Sequence, residues 1–177
     1  MAILDSGKAL ETLELLRRGY SAENIACLNK SVAVFANISR VLTDARPVYY
    51  LDDAFCTLKL LDDEKKYPAV VNLDLCDTIS PKLLSDITDL PKYRGCILCV
   101  TVQRARERHE LIPIPDFKKI VYTAGCRYSD GSVMSYRDAL RLCHLLTAMN
   151  YQRCSRIRWG TYNSPSSPMM WVAVQYA

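Results

Sequence analysis

The chain has 177 residues, a net charge of +4 and a hydrophobic fraction of 50%. That length predicts one domain over the whole chain, 1–177, with enough apolar residues for a full core, and the mild basicity permits a nucleic-acid partner without requiring one. No run of about 18 uncharged apolar residues occurs, so no membrane span is expected, and the first residues lack the basic-then-apolar order of a secretion signal.

Along the chain, short apolar runs end in polar or acidic clusters and then give way to helical patterns. Ala2–Leu4 predicts the first strand, with Asp5-Ser6-Gly7 after it and a helix from near Lys8 to Arg18 carrying a leucine stripe. Asn24–Leu28 predicts the second strand, ending at Asn29, and Ser31 is the expected cap of a helix through Val41. Val48–Leu51 predicts the third strand; Asp52 and Asp53 lead into a helix over Ala54–Leu61. Ala69–Leu73, apolar but for Asn72, predicts a fourth strand covered on both faces and ending at Asp74. Ser80 followed by Pro81 marks a helix start, with the helix running to Asp89.

Gly95–Val102 predicts the fifth strand, a basic helix is expected over Arg104–His109, and the β-branched Lys119–Thr123 segment reads as a short strand. A helix over Ser135–Asn150 has Tyr136, Ala139, Leu140, Cys143, Leu145 and Leu146 on its apolar side. Tyr151–Tyr162 and Met169–Tyr176, joined by a Pro- and Ser-rich turn, predict an antiparallel hairpin at one edge of the sheet. Strands alternating with helices imply parallel βαβ units. The expected class is therefore α/β, a doubly wound, seven-stranded mixed sheet with a C-terminal hairpin. In such sheets ligands sit outside the carboxyl ends of the strands.

The eight cysteines lie mostly in apolar runs and read as reduced, small buried hydrophobes in a cytoplasmic protein. Cys96 and Cys99 have CxxC spacing, but on a strand they face opposite sides and no second pair follows, so no metal site is expected.

Five βα units closed by a hairpin resemble the class I S-adenosylmethionine-dependent methyltransferases, over nearly the whole chain. The best local piece is Leu51-Asp52-Asp53-Ala54-Phe55. The resemblance implies that Asp53 accepts from the adenine amino group and that Ala54 and Phe55 pack beside the ring. A helix cap by Asp52 or Asp53 is the other reading, and both roles can coexist. Val70-Val71-Asn72-Leu73-Asp74-Leu75-Cys76-Asp77 is similar to the family's fourth motif, and its Asn72-Leu73-Asp74-Leu75-Cys76 to a phrase in some small methyltransferase-like proteins of phage and bacterial type. There Asp74 would orient a nucleophile or take its proton; a solvated turn carboxylate is the alternative. The resemblance also implies that Asp5, Ser6 and Gly7 approach the amino-acid part of S-adenosylmethionine and that Asn29 meets the ribose hydroxyls. The chain departs from the family in having Gly7 alone in the first loop, where two or three glycines are usual. It also has asparagine in place of a carboxylate at position 29.

The family's adenine-N6 signature is absent, and Cys76 reads as packing rather than as a nucleophile, with Asp77 opposing a thiolate. His109 and His144 are the only histidines; neither belongs to a Ser-His-Asp arrangement. Basic residues collect late: Arg104, Arg106, Arg108, Lys118, Lys119, Arg127, Arg153, Arg156 and Arg158. Tyr122, Tyr128, Tyr136, Tyr151, Trp159 and Tyr162 lie among them. They suit phosphate contact and base stacking, or equally an ordinary basic surface over a hairpin core. The sequence thus predicts a methyltransferase with a nucleic-acid acceptor, with a non-catalytic binding protein on the same fold as the alternative. A Rossmann oxidoreductase is disfavoured by the hairpin and by the absence of G-x-G-x-x-G. Oligomeric state is not legible.

Overall fold

The computed structural model describes residues 1–4, 10–42, 47–75, 77–104, 111–125, 127, 131–165 and 167–177. In chain order the elements are β1 (Ala2–Ile3), α1 (Leu10–Arg17), β2 (Ala26–Leu28), α2 (Val32–Val41), β3 (Val48–Tyr50), α3 (Ala54–Asp63), β4 (Val70–Asp74), α4 (Pro81–Thr88), β5 (Ile97–Gln103), α5 (Phe117–Ala124), α6 (Tyr136–Ala148), β6 (Cys154–Asn163) and β7 (Pro168–Tyr176). The strands form a seven-stranded mixed sheet of order β3-β2-β1-β4-β5-β7-β6, the α/β class that the alternating pattern predicts. The chain forms two compact units, Met1–Asp74 and Leu75–Ala177. Among the described residues no helix is long and apolar enough to cross a membrane.

In Met1–Asp74 the strands pair in parallel, Ile3 opposite both Cys27 and Asn72, and Cys27 opposite Tyr49. Residues opposite one another share a face, so Ile3, Cys27, Tyr49 and Asn72 point the same way. Leu15 and Leu16 of α1 and Phe35 of α2 pack against that face around Ile3, Ile25 and Cys27. Phe35 meets the Tyr49 ring edge-on at 5.5 Å. Helix α2 begins where the sequence predicts, with the Ser31 hydroxyl accepting from the Val34 N–H. Helix α3 buries Ala54, Phe55, Leu58 and Leu61, a stripe at helical spacing.

In Leu75–Ala177, α4 starts with Pro81 in its first turn, and the Ser80 hydroxyl accepts from the Leu83 N–H. Lys92 closes the far end by donating from Nζ to the carbonyls of Ile87, Thr88 and Leu90. Strand β7 runs antiparallel between β5 and β6. One face of this trio, with Val100, Val172, Val174 and Tyr176, is buried. Helices α5 and α6 cover it: the Tyr176 hydroxyl donates to the Met149 carbonyl and Trp159 Nε1 donates to the Ala124 carbonyl. Asn150, at φ 53°, makes the left-handed turn from α6 toward β6, a conformation asparagine tolerates better than most residues.

Two expectations change. Lys119–Thr123 is not a strand but part of α5. Phe117, Ile120, Val121 and Ala124 recur at helical spacing, and α5 packs on α6, with Ile120 fully buried. Tyr136 does not join the buried side of α6; it is exposed and tilts against Phe117 at 5.7 Å. Of the basic helix expected over Arg104–His109, all but Arg104 lies outside the described residues.

Candidate functional site

The carboxyl ends of β3, β2, β1 and β4 lie side by side in that order, about 4.8 Å from one strand to the next. At β2, the backbone N–H of Asn29 donates to the Tyr50 carbonyl at 3.2 Å, extending the ladder one residue. Its side-chain Oδ1 accepts from the Ser31 N–H at 2.9 Å, a local turn typical of asparagine. After β3, Asp53 caps α3: its Oδ1 accepts from the N–H groups of Phe55 at 2.9 Å and Cys56 at 3.3 Å. The Asp52 carboxylate in turn accepts from the Asp53 N–H at 2.6 Å. Asn29 and Asp53 therefore stand at the ends of neighbouring strands, and the cap reading of Asp53 is realised.

Ala54 and Phe55 are only 6% and 8% exposed and belong to the apolar stripe of α3. The apolar side chain that stands open after β3 is Leu51, 54% exposed. Sequence reasoning passed over it as a strand residue; its signal is an apolar residue directly before an acidic pair.

Asp74 ends β4, with β1 between it and β2. Alternation along β4 puts Asp74 on the face of Asn72, whose Nδ2 donates to Glu11 Oε2 at 2.9 Å. Glu11, in the first turn of α1, is a second residue the sequence reading missed. The Oδ1 atom of Asp74 is buried with no hydrogen-bond partner among the described residues. Burial pushes its carboxyl pKa above the usual range, because loss of water disfavours the charged form. Asp5, Ser6, Gly7, Cys76 and His109 lie outside the described residues. A cavity of about 240 Å³ in the same unit, lined by Met1, Asn24, Ile25 and Val48 among others, opens at the opposite, amino edge and includes none of the predicted site residues.

The late basic and aromatic residues separate by environment. Helix α5 exposes Lys118, Lys119 and Tyr122, the hairpin exposes Arg156, Arg158 and Tyr162, and Arg153 is exposed in the turn before β6, where it donates to the Lys92 carbonyl. Arg127 is exposed and donates to the Gly131 carbonyl at 2.8 Å. Tyr151 is buried instead. Arg104, just after β5, turns inward: its guanidinium makes a two-pronged bond to Asp138, at 3.2 and 2.6 Å. Arg141 donates to the same carboxylate at 2.6 Å, and Asp138 and Arg141 are nearly fully buried. Nothing in the spacing of Arg104 and Asp138 announces this group. Arg106, Arg108 and Tyr128 are outside the described residues. His144 Nε2 lies 2.9 Å from the Ile112 carbonyl, a half-buried rim position. Among the described residues no group of three or more His, Cys, Asp or Glu could hold a metal ion.

No family model and no curated protein matches the chain. Among solved structures it is similar to an O-methyltransferase from Bacillus cereus in complex with SAH, at 12% identity and a TM-score of 0.57, over 98% of this chain and 72% of that one. It is also similar to a SAM-dependent methyltransferase from Agrobacterium tumefaciens, at 8% identity and a TM-score of 0.56, over 99% of this chain and 56% of that one. At such identities the likeness establishes the fold, which is class I methyltransferase-like, and leaves function to be argued from the site.

Proposed function

We propose that this chain is an S-adenosylmethionine-dependent methyltransferase with a nucleic acid as acceptor. The observation that carries the reading is the position of Asn29, Asp53 and Asp74 at the carboxyl ends of β2, β3 and β4 on a methyltransferase-like fold. That edge is where open parallel sheets bind their ligands.

The residues present fit the cofactor's groups. Two amides of α3 hold Asp53 Oδ1, which fixes the carboxylate and leaves its second oxygen to accept from the adenine amine. Leu51 shields the base, with Ala54 and Phe55 behind it. Asn29, whose side-chain oxygen accepts from the Ser31 N–H, offers a ribose hydroxyl a neutral amide, a weaker hold than a carboxylate. Asp5, Ser6 and Gly7 are the proposed contacts to the amino-acid part. S-adenosylmethionine, when bound, supplies an electrophilic methyl group. Asp74 then accepts the proton of the attacking nitrogen or oxygen, and its raised pKa makes it a better base than a solvated aspartate. The positive net charge and the exposed arginines and tyrosines of the second unit suit a polyanionic acceptor.

A calorimetric titration with S-adenosylmethionine and its demethylated product tests the reading. Saturable binding of both supports it. No binding at millimolar ligand overturns it, and the chain is then a binding protein on the same fold, in keeping with its single glycine in the first loop.

A further inference from the structure

The β5-β7-β6 trio has a second face, opposite α5 and α6. Strand alternation and the register Trp171 opposite Gly160 bring Arg156, Arg158 and Tyr162 of β6 onto that face together with Trp171 of β7. A Cβ at position 160 would lie 2.9 Å from Trp171 Cε2, Cζ2 and Nε1. The indole therefore lies over the backbone of β6 at its one glycine, in a place no other residue type leaves open. Trp171 is half-buried, Tyr162 is exposed, and Arg156 and Arg158 are exposed with no acidic partner among the described residues.

We propose that this face binds single-stranded nucleic acid, with a base stacked on the Trp171 indole and phosphates held by Arg156 and Arg158. An aromatic ring seated on a sheet supplies a stacking platform, and flanking guanidinium groups follow a backbone. Unpaired arginines beside the ring favour a polyanion over an apolar protein surface, since burying them against such a surface leaves charge uncompensated. The inference deepens the nucleic-acid part of the function proposed above. It uses none of the cofactor residues, so the two are tested apart.

The test is fluorescence anisotropy of labelled oligothymidine and oligouridine of about 12 nucleotides, a length within the range of single-strand sites. The full chain is used without cofactor, with an unlabelled duplex as competitor. The expected result is single-strand binding that the duplex displaces poorly; the two oligomers show whether DNA or RNA is preferred. Trp171→Ala should weaken binding by about ten- to a hundredfold, and Trp171→Phe should restore most of it. The doubly exposed variant Arg156→Glu/Arg158→Glu, which leaves the core untouched, should weaken binding and flatten the log K against log salt slope by about 1.4. Binding by wild type that neither set of substitutions changes overturns the proposal. So does a folded wild type that binds neither oligomer, including one whose self-association the charge reversal abolishes, which makes the face a contact between copies. If oligomers bind and the calorimetric titration is blank, only methyl transfer fails; the converse result removes only this face.

Discussion

Asp53 caps a helix and, in the proposed function, also meets the ligand. Its Oδ1 accepts two helix amides, so Asp53→Ala should cost about 1 kcal/mol of stability as well as affinity. Asp53→Asn separates the two effects. Asparagine is an equally good cap, but with its oxygen on the helix amides it presents NH2 to the adenine amine. Thermal unfolding should be nearly unchanged while S-adenosylmethionine binding falls about ten- to a hundredfold, the worth of a bond to a charged group; equal affinity for both proteins removes Asp53 from the site. Asp74 works in the other direction. Its carboxyl is raised by burial, so above pH 4 the folded state retains a proton that the unfolded state has released. Stability contributed at low pH is then lost as pH rises from the unfolded value, about 3.9, through the higher folded one. Asp74→Asn has no such charge to bury. It should match wild type at pH 3 and melt higher at pH 7, while turnover disappears. A melting difference that does not vary with pH would contradict the burial argument.

At the level of elements, the predictions drawn from caps lasted better than those drawn from side-chain type. Ser31, Ser80 and Ser135 all cap the helices they were expected to start or announce. The Lys119–Thr123 segment reads as a strand because Ile120, Val121, Tyr122 and Thr123 favour strands. Gly125, at φ 80°, ends α5 and is the better signal. The Arg104–Asp138–Arg141 group was invisible because its members meet only through tertiary packing, across a separation of 34 residues. It ties the end of β5 to the first turn of α6, where an acid also complements the helix dipole. Asp138→Ala leaves Arg141 buried and uncompensated and should lose about 3–5 kcal/mol in urea unfolding. A loss under 1 kcal/mol would show that the guanidinium groups are not held by this carboxylate. Gly160→Ala tests the hairpin separately. The indole of Trp171 must shift to admit the methyl group, at a cost of about 1–3 kcal/mol and with a change in tryptophan emission that Gly160→Ala alone should produce.

For the whole molecule, the class, the number of strands and the terminal hairpin could be read from periodicity, because apolar runs that recur after each helix leave few ways to build a sheet; the order β3-β2-β1-β4-β5-β7-β6 came from the structure. The site was legible only in part. Asn29, Asp53 and Asp74 are candidates from their places after strands and from the family resemblance, whereas Leu51 stands out by its exposure and Glu11 by a long-range bond, neither of which local pattern encodes. The described residues proposed to hold the cofactor all belong to Met1–Asp74, and the proposed nucleic-acid face belongs to Leu75–Ala177. The two ligands should therefore protect different amides from hydrogen exchange. S-adenosylmethionine at about 100 times its dissociation constant adds roughly 2.7 kcal/mol to the states that bind it. The slowed amides should be those after β2 and β3 and in the first turn of α3. A single-stranded oligonucleotide should slow β6 and β7 instead and leave α3 unchanged. The Trp171→Ala variant should lose the second pattern and retain the first. Protection of the first turn of α3 by oligonucleotide alone, or its absence with saturating S-adenosylmethionine, would show that the functions are not divided between the units in this way.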